Sequence, residues 1–200
     1  MQTEEQTAPE MLLEPRRFRW NFESFYRLEG TGIFGDARIE LIEGELFEMA
    51  VITPRHAVTV NKIADTLIRC FQDGYVVSPQ NPIKLSNQSV PLPDVSILRG
   101  TYQDFFDTLP ETAVLMVEVA DSTLASDRRD KTSLCARYAI QELWIVNVAD
   151  NELEIYRQPR RDGSATHGFS YGLRQVLGRE NTVSPLELPD VSIPVANLLV

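Results

Sequence analysis

Three charged residues stand where the surrounding sequence favours apolar ones. Glu118 lies near the end of Val114–Val119, the most apolar strand-like run in the chain. An ionised carboxylate there needs compensation, because desolvating it alone is costly; the plainer alternative is a side chain just past the sheet edge, in water. Lys131 shares one helical face with Asp127, Leu134, Cys135 and Tyr138, at offsets of minus four, three, four and seven. Three of those neighbours are apolar or aromatic, so that face packs on the sheet and Lys131 reaches over the strand end towards Glu118. The alternatives are a lysine snorkelling at the core margin or one held by Asp127. Asp94 follows Pro93 and opens Val95–Leu98, 24 positions before Glu118. That separation leaves room for a hairpin or meander that sets the two carboxylates on adjacent strands.

Two hard oxygen ligands on neighbouring strands, with the backbone carbonyl of Val119, would seat Mg²⁺ or Mn²⁺. Such an ion polarises a phosphoryl oxygen and acidifies a bound water, and a nearby lysine orients that water or offsets charge in the transition state. This is the chemistry of phosphodiester hydrolysis. The string Leu-Pro-Asp-Val-Ser-Ile occurs twice, at 92–97 and 188–193. Chain order separates the copies: Asp94 precedes Glu118 by a hairpin's length, whereas Asp190 lies beyond the second long helix and reads as a turn residue.

The elements that must position these groups follow from periodicity. Asn21 caps a short helix over the apolar positions Trp20–Leu28. Alternation on both sides of Glu43-Gly44 predicts a hairpin across Arg38–Met49. Pro54 opens a helix over about 55–72, with the stripe His56, Val60, Ile63, Leu67 and Phe71, and Asp73-Gly74 stops it. Strands are expected at Tyr75–Ser78, Ile83–Leu85, Val95–Leu98 and Val114–Val119, then a helix over about 126–140. Leu143–Val148 reads as a buried strand that Asp150-Asn151 turns into Leu153–Arg157, and short strands follow near 172–177 and 182–184. The order predicts an α/β or α+β domain, a mixed sheet flanked by helices, spanning 16–200 after a polar, flexible tail over 1–15.

Bulk properties narrow the function. The 200 residues carry 43% hydrophobic and 24% charged side chains, near the globular average. A net charge of −10 argues against a general nucleic-acid coat protein, whose affinity rests on Lys and Arg against phosphate. It leaves room for an enzyme that recruits metal cations. Two cysteines, Cys70 and Cys135, are too few for a disulfide framework. The first 17 residues lack the apolar stretch of a secretory signal, and no run is long enough to span a membrane. A cytoplasmic protein is the expectation.

At these residues the chain resembles the PD-(D/E)XK nuclease superfamily, and more closely a bacterial family of restriction-endonuclease-like proteins. The resemblance runs from Phe18 to Leu199. It rests on the Glu-Leu-Ile-Glu-Gly-Glu hairpin, Pro54-Arg55-His56, Gln80-Asn81-Pro82-Ile83, Pro93-Asp94-Val95, Val117–Ser122, Asp127–Lys131, Tyr138 and Glu142–Val146. It implies an αβββαβ core and metal-dependent DNA cleavage, with the family's aspartate at Asp94 and its glutamate at Glu118. The superfamily's usual lysine stands two residues after the glutamate, where this chain has Ala120; in this family it has moved to the next helix, matching Lys131. A glutamate common four residues before the aspartate is Val90 here. His56 matches the family histidine and points inward at its helix start. Glu45 shares a strand face with Phe47 and Met49 and could extend the metal site, with Glu40 a weaker candidate of the same kind; Gln80 could touch a metal-bound water or a phosphate.

Two functions compete on this reading. The first is a Mg²⁺-dependent DNA endonuclease, with Arg128, Arg129, Arg157, Arg160 and Arg161 as basic candidates for DNA contact. The second is a degenerate nuclease fold serving as a binding or assembly module, favoured by the acidic charge and by Val90. A homodimer is plausible for either.

Overall fold

The computed structural model describes residues 17–121 and 123–200; the tail expected over 1–15 lies outside them. Asn21 caps α1 (Phe22–Glu29) through a reciprocal box with Ser24. The hairpin strands β1 (Ile39–Ile42) and β2 (Glu45–Glu48) pair antiparallel around Glu43-Gly44. Both turn residues have positive φ, 49° and 79°, which suits the twist of a two-residue hairpin. A side chain at Gly44 would also meet Arg19 and the Trp20 carbonyl, its Cβ falling 2.9 Å from the Arg19 Cβ. Pro54, capped by Thr53, starts α2 (Pro54–Cys70).

The main sheet follows: β3 (Tyr75–Pro79), β4 (Val95–Arg99), β5 (Leu115–Ala120), β6 (Glu142–Asn147), β7 (Glu152–Arg161) and β8 (Phe169–Gly178), paired in chain order. Only β5 and β6 run parallel. A parallel neighbour requires a crossover, supplied by α3 (Leu124–Ser126), a π-helical turn (Asp127–Lys131) and α4 (Thr132–Arg137). A small ladder, β9 (Thr182–Val183) with β10 (Ile193–Pro194), closes the chain.

Strand alternation divides the core into two layers. Val95, Ile97, Leu115, Val117, Val119, Trp144 and Val146 pack with Val60, Ile63 and Leu67 of α2. Leu98, Met116, Ala120, Leu143 and Ile145 pack with Cys135 of α4. Glu118 shares its strand face with Met116 and Ala120, so it points into the second layer, beneath the crossover that carries Lys131. A third cluster joins Phe25 of α1 to Ile39, Leu41 and Val90. Val90 is therefore a core residue, bridged to Leu41.

The hairpin is held by side chains far away in sequence. Tyr138 Oη donates to Glu43 Oε1 at 2.7 Å, and Ser89 Oγ donates to the same oxygen at 2.9 Å. The Glu43 amide donates to Ser89 Oγ at 3.0 Å, and the Gly44 amide donates to the Gln88 carbonyl at 2.8 Å. These bonds pin the turn and set the height of β1 over the sheet.

Three elements differ from the periodicity. Ile83–Leu85 is no strand: Ile83 is fully buried, but Pro82 and Pro91 withhold donors and prevent a ladder. Strands β7 and β8 extend through polar residues, because each pairs with the other along its length and α4 covers part of β8, where Ser133 Oγ donates to the Phe169 carbonyl at 2.8 Å. The crossover helix begins earlier than expected, widens at Asp127–Lys131 and stops at Arg137, with Ala139 at φ 56°. Asp190, the look-alike of Asp94, is exposed in a turn.

Candidate active site

The wide cavity of the molecule lies where β1, the start of α2, the ends of β4 and β5 and the π turn meet. It measures about 610 Å³, with Glu40, His56, Asp94, Glu118, Asp127 and Lys131 among its lining residues. Asp94 is the residue just ahead of β4, placed by the one just after β3: Gln80, with φ 53°, donates its amide to the Asp94 carbonyl at 3.0 Å. Asp94 Oδ2 accepts the Val119 amide at 2.8 Å and sits 3.1 Å from His56 Nε2. Among the described residues, no hydrogen bond is made to its other oxygen.

Extending the register Val95↔Val117 places Asp94 opposite Glu118 on one face of the sheet. Lys131 Nζ stands 3.7 Å from Glu118 Oε1 and 2.5 Å from Glu40 Oε1. The same Glu40 oxygen accepts the Leu92 amide at 2.8 Å, tying the hairpin to the segment before Asp94. The five-residue hydrogen bond from the Thr132 amide to the Asp127 carbonyl marks the π turn, an irregularity common at functional sites. It lets Asp127, Lys131 and Leu134 all face the cavity.

Charge is unbalanced here. Glu40, Asp94, Glu118 and Asp127 are buried carboxyls, facing the single ammonium of Lys131 and the imidazole of His56. Burial pushes the Glu118 carboxyl well above its ordinary value; Lys131 opposes that shift, while Asp94, Asp127 and Glu40 add to it. Burial also raises Asp127. For Lys131 burial works against the charge, but Glu118 and Glu40 overcome it and hold the ammonium above its ordinary range. The hydrogen bond to Asp94 raises His56. The two carboxylates thus hold Lys131 as a cation, while burial favours the protonated form of Glu118 so long as no cation sits beside it.

This makes a stability prediction. Above the ordinary glutamate value of 4.5, the native protein holds a proton that the unfolded chain has released. Stability therefore falls as pH rises from there through the raised value. Glu118→Gln removes that loss and still leaves Lys131 paired with Glu40. At pH 8 without metal, the variant should melt about 2–4 °C higher, for about 1 kcal/mol. Melting curves at pH 5 and pH 8 check it; a variant less stable than the parent at pH 8 contradicts the assignment.

The residues fit a hard divalent cation. Glu118 Oε1 is buried without a hydrogen-bond partner, and Asp94 keeps one oxygen outside its bonds to Val119 and His56. The described residues hold no group of three His, Cys, Asp or Glu side chains placed to share one ion. Mg²⁺ asks for less, since one or two carboxylates suffice when water and substrate phosphate complete the shell.

Other expected site residues fall elsewhere. Glu45 sits at the cavity edge, about half exposed, with Arg19 Nη1 at 2.8 Å; Glu40, the weaker candidate, occupies the buried position instead. The reason is the strand each occupies: Glu40 lies in β1 beside the Leu41–Val90 bridge, whereas Glu45 opens β2, which is largely exposed. Gln80 is not among the cavity-lining residues and acts on Asp94 through its backbone. Arg128 is bound to Glu154 and Arg157 to Glu142, two carboxylates with no exposed surface, and Arg129 pairs with Asp130. Arg128 and Arg157 hold the fold, and of the basic candidates Arg129, Arg160 and Arg161 are exposed without a buried partner. The sequence reading missed Asp127 as a cavity acid and His167, which the β7–β8 connection brings to the opposite wall. Cys135 is buried, as its apolar spacing implied.

The model of the Uma2 family, described as "Putative restriction endonuclease", matches residues 22–196. A solved structure from Anabaena variabilis, described as a "putative nuclease belonging to DUF820", has the same fold. It aligns with a TM-score of 0.63 at 11% identity, over 89% of this chain and 96% of that one. No protein of curated function matches. Among the described residues no helix is long and apolar enough to cross a membrane.

Proposed function

The chain belongs to the Uma2 family, and from that premise we propose that it hydrolyses phosphodiester bonds of DNA, with a divalent ion held by Asp94 and Glu118. One observation carries the reading: a buried carboxylate oxygen of Glu118 that no donor hydrogen-bonds, with Lys131 standing off at 3.7 Å, set beside Asp94 in a cavity with more acids than cations. Mg²⁺ or Mn²⁺ bound there, with the Val119 carbonyl as a third ligand, would polarise the phosphoryl oxygen and acidify a water.

The chain's own groups do the rest. The Val119 amide and His56 occupy one oxygen of Asp94, which fixes the carboxylate plane and leaves the other oxygen facing the cavity. Glu40 orients Lys131, whose ammonium offsets negative charge as the phosphorus centre becomes more crowded. Because Lys131 stays protonated, its role is electrostatic, not proton abstraction.

The test combines two measurements on the full chain. Millimolar Mn²⁺ or Mg²⁺ should raise the melting temperature, by mass action on the native state, and should support cleavage of DNA that EDTA abolishes, scored on circular single-stranded DNA and on a supercoiled plasmid. A melting temperature indifferent to both ions, together with both DNAs intact, would sink the proposal.

A further inference from the structure

The cavity has a second wall that metal chemistry does not use. Phe47, Met49, Val51 and Ile52, from β2 and the segment before α2, line it. Phe47 is 48% exposed and Val51 91%. The Phe47 ring has no aromatic partner among the described residues. It lies directly across the hairpin from Glu40, and such cross-strand side chains stand about 5 Å apart at Cβ. Glu40 in turn touches Lys131. The ring therefore flanks the acid cluster at one side chain's distance.

Arg38 lies on the same side. It lines the cavity, and its charge opposes protonation of His56. Among the described residues it makes no ion pair, whereas Arg19, at the turn end of the hairpin, is bound to Glu45. An unpaired guanidinium beside an apolar, aromatic wall matches one ligand chemistry: an anionic phosphate joined to a flat base. In a duplex the base faces are stacked away and the backbone would meet the apolar wall unfavourably. An unpaired nucleotide offers its face to an aromatic ring. A cavity of about 610 Å³ is within the range that encloses a ligand of this kind, about 300–1,000 Å³.

We infer that the cavity is a subsite for one unpaired nucleotide, with Phe47 stacking the base and Arg38 binding its phosphate, so that the substrate is single-stranded or flapped nucleic acid rather than intact duplex. This rests on the nuclease reading for its purpose but not for its test.

The experiment measures binding on the Asp94→Asn protein, which keeps strands intact, by fluorescence anisotropy with a labelled 15-mer single strand and the matching duplex, in EDTA and in Ca²⁺. Single strand should bind about tenfold tighter than duplex. Phe47→Ala should lose about tenfold for single strand alone, and Phe47→Trp should restore it, as stacking requires. Arg38→Ala should weaken binding of both and lower the slope of log affinity against log salt by about one, with Arg38→Lys recovering most of it. Circular dichroism checks that each variant folds. Equal affinity for the two forms, or no effect of Phe47→Ala in a folded protein, overturns the inference. So does a Phe47→Ala change that only disperses a dimer, read by sedimentation, since the wall would then be a contact between copies. Cleavage by the unmutated protein is scored separately. Cleavage without strand preference removes the subsite and leaves the nuclease; preference without cleavage does the reverse.

Discussion

Asp94→Asn is expected to abolish metal-dependent strand cleavage, a loss on the order of 10³-fold or more, while the protein still folds. Asp94 Oδ2 accepts from the Val119 amide and contacts His56. An asparagine oxygen at the position of Oδ2 can accept from the Val119 amide and from His56 Nε2 alike, so the packing survives. What it lacks is the anionic oxygen left facing the cavity. The variant should also lose the rise in melting temperature that Mn²⁺ gives the parent, because that rise reports binding to the native state alone. The chain contains its own control. Asp190 lies in the same six-residue string but is exposed in a turn, so Asp190→Asn should leave nicking and the Mn²⁺ shift unchanged. Equal nicking by the Asp94 and Asp190 variants would remove Asp94 from the site.

That contrast also shows which parts of the molecule were legible in the residues. Asp94 and Asp190 have identical neighbours, and only position along the chain told them apart, because antiparallel neighbours follow from chain order and short connections. The same logic placed Glu118 beside Asp94 and Lys131 above it. Glu40 was ranked below Glu45, although both lie on the same hairpin face with Ile42 and Phe47. What separates them is the anchoring of Glu43 by Tyr138 and Ser89 and the bridge from Leu41 to Val90. Those contacts join residues 46 to 95 positions apart, and no local period encodes them. Likewise Arg128 and Arg157 stand in the sequence as free candidates for DNA, because Glu142 and Glu154 read as ordinary strand glutamates. Their complete burial comes from the order of the sheet and not from the strands themselves. The π turn left no periodic signature, since one extra residue per turn is absorbed within Asp127–Lys131. A regular helix puts Asp127 only on the face of Lys131; the widened turn carries it into the cavity wall.

Lys131→Met should have the second large effect, and it separates stability from chemistry. The ammonium stands between Glu40 at 2.5 Å and Glu118 at 3.7 Å, with 17% of its side chain exposed. Removing it leaves two buried carboxyls without a cation, and breaking a buried pair in this way costs about 3–5 kcal/mol. At pH 8 the variant should melt roughly 10 °C lower. The deficit should shrink towards pH 5, where the orphaned acids take up protons more readily. Cleavage by the folded fraction should fall by about 10²–10³-fold, the scale for losing one preorganised charge at the reacting centre. A second variant distinguishes the two effects. Glu40→Gln in the Lys131→Met background removes the orphaned partner, so part of the lost stability should return, a coupling expected only of groups in contact. Cleavage should stay low, because no cation has been restored. Lys131→Arg keeps the charge but asks the cavity to hold a wider, planar group, so it should recover stability more fully than rate. Wild-type cleavage by Lys131→Met would show that the lysine only props the hairpin onto the sheet. Recovery of both stability and cleavage in the double variant would assign the defect to Glu40's unpaired charge instead.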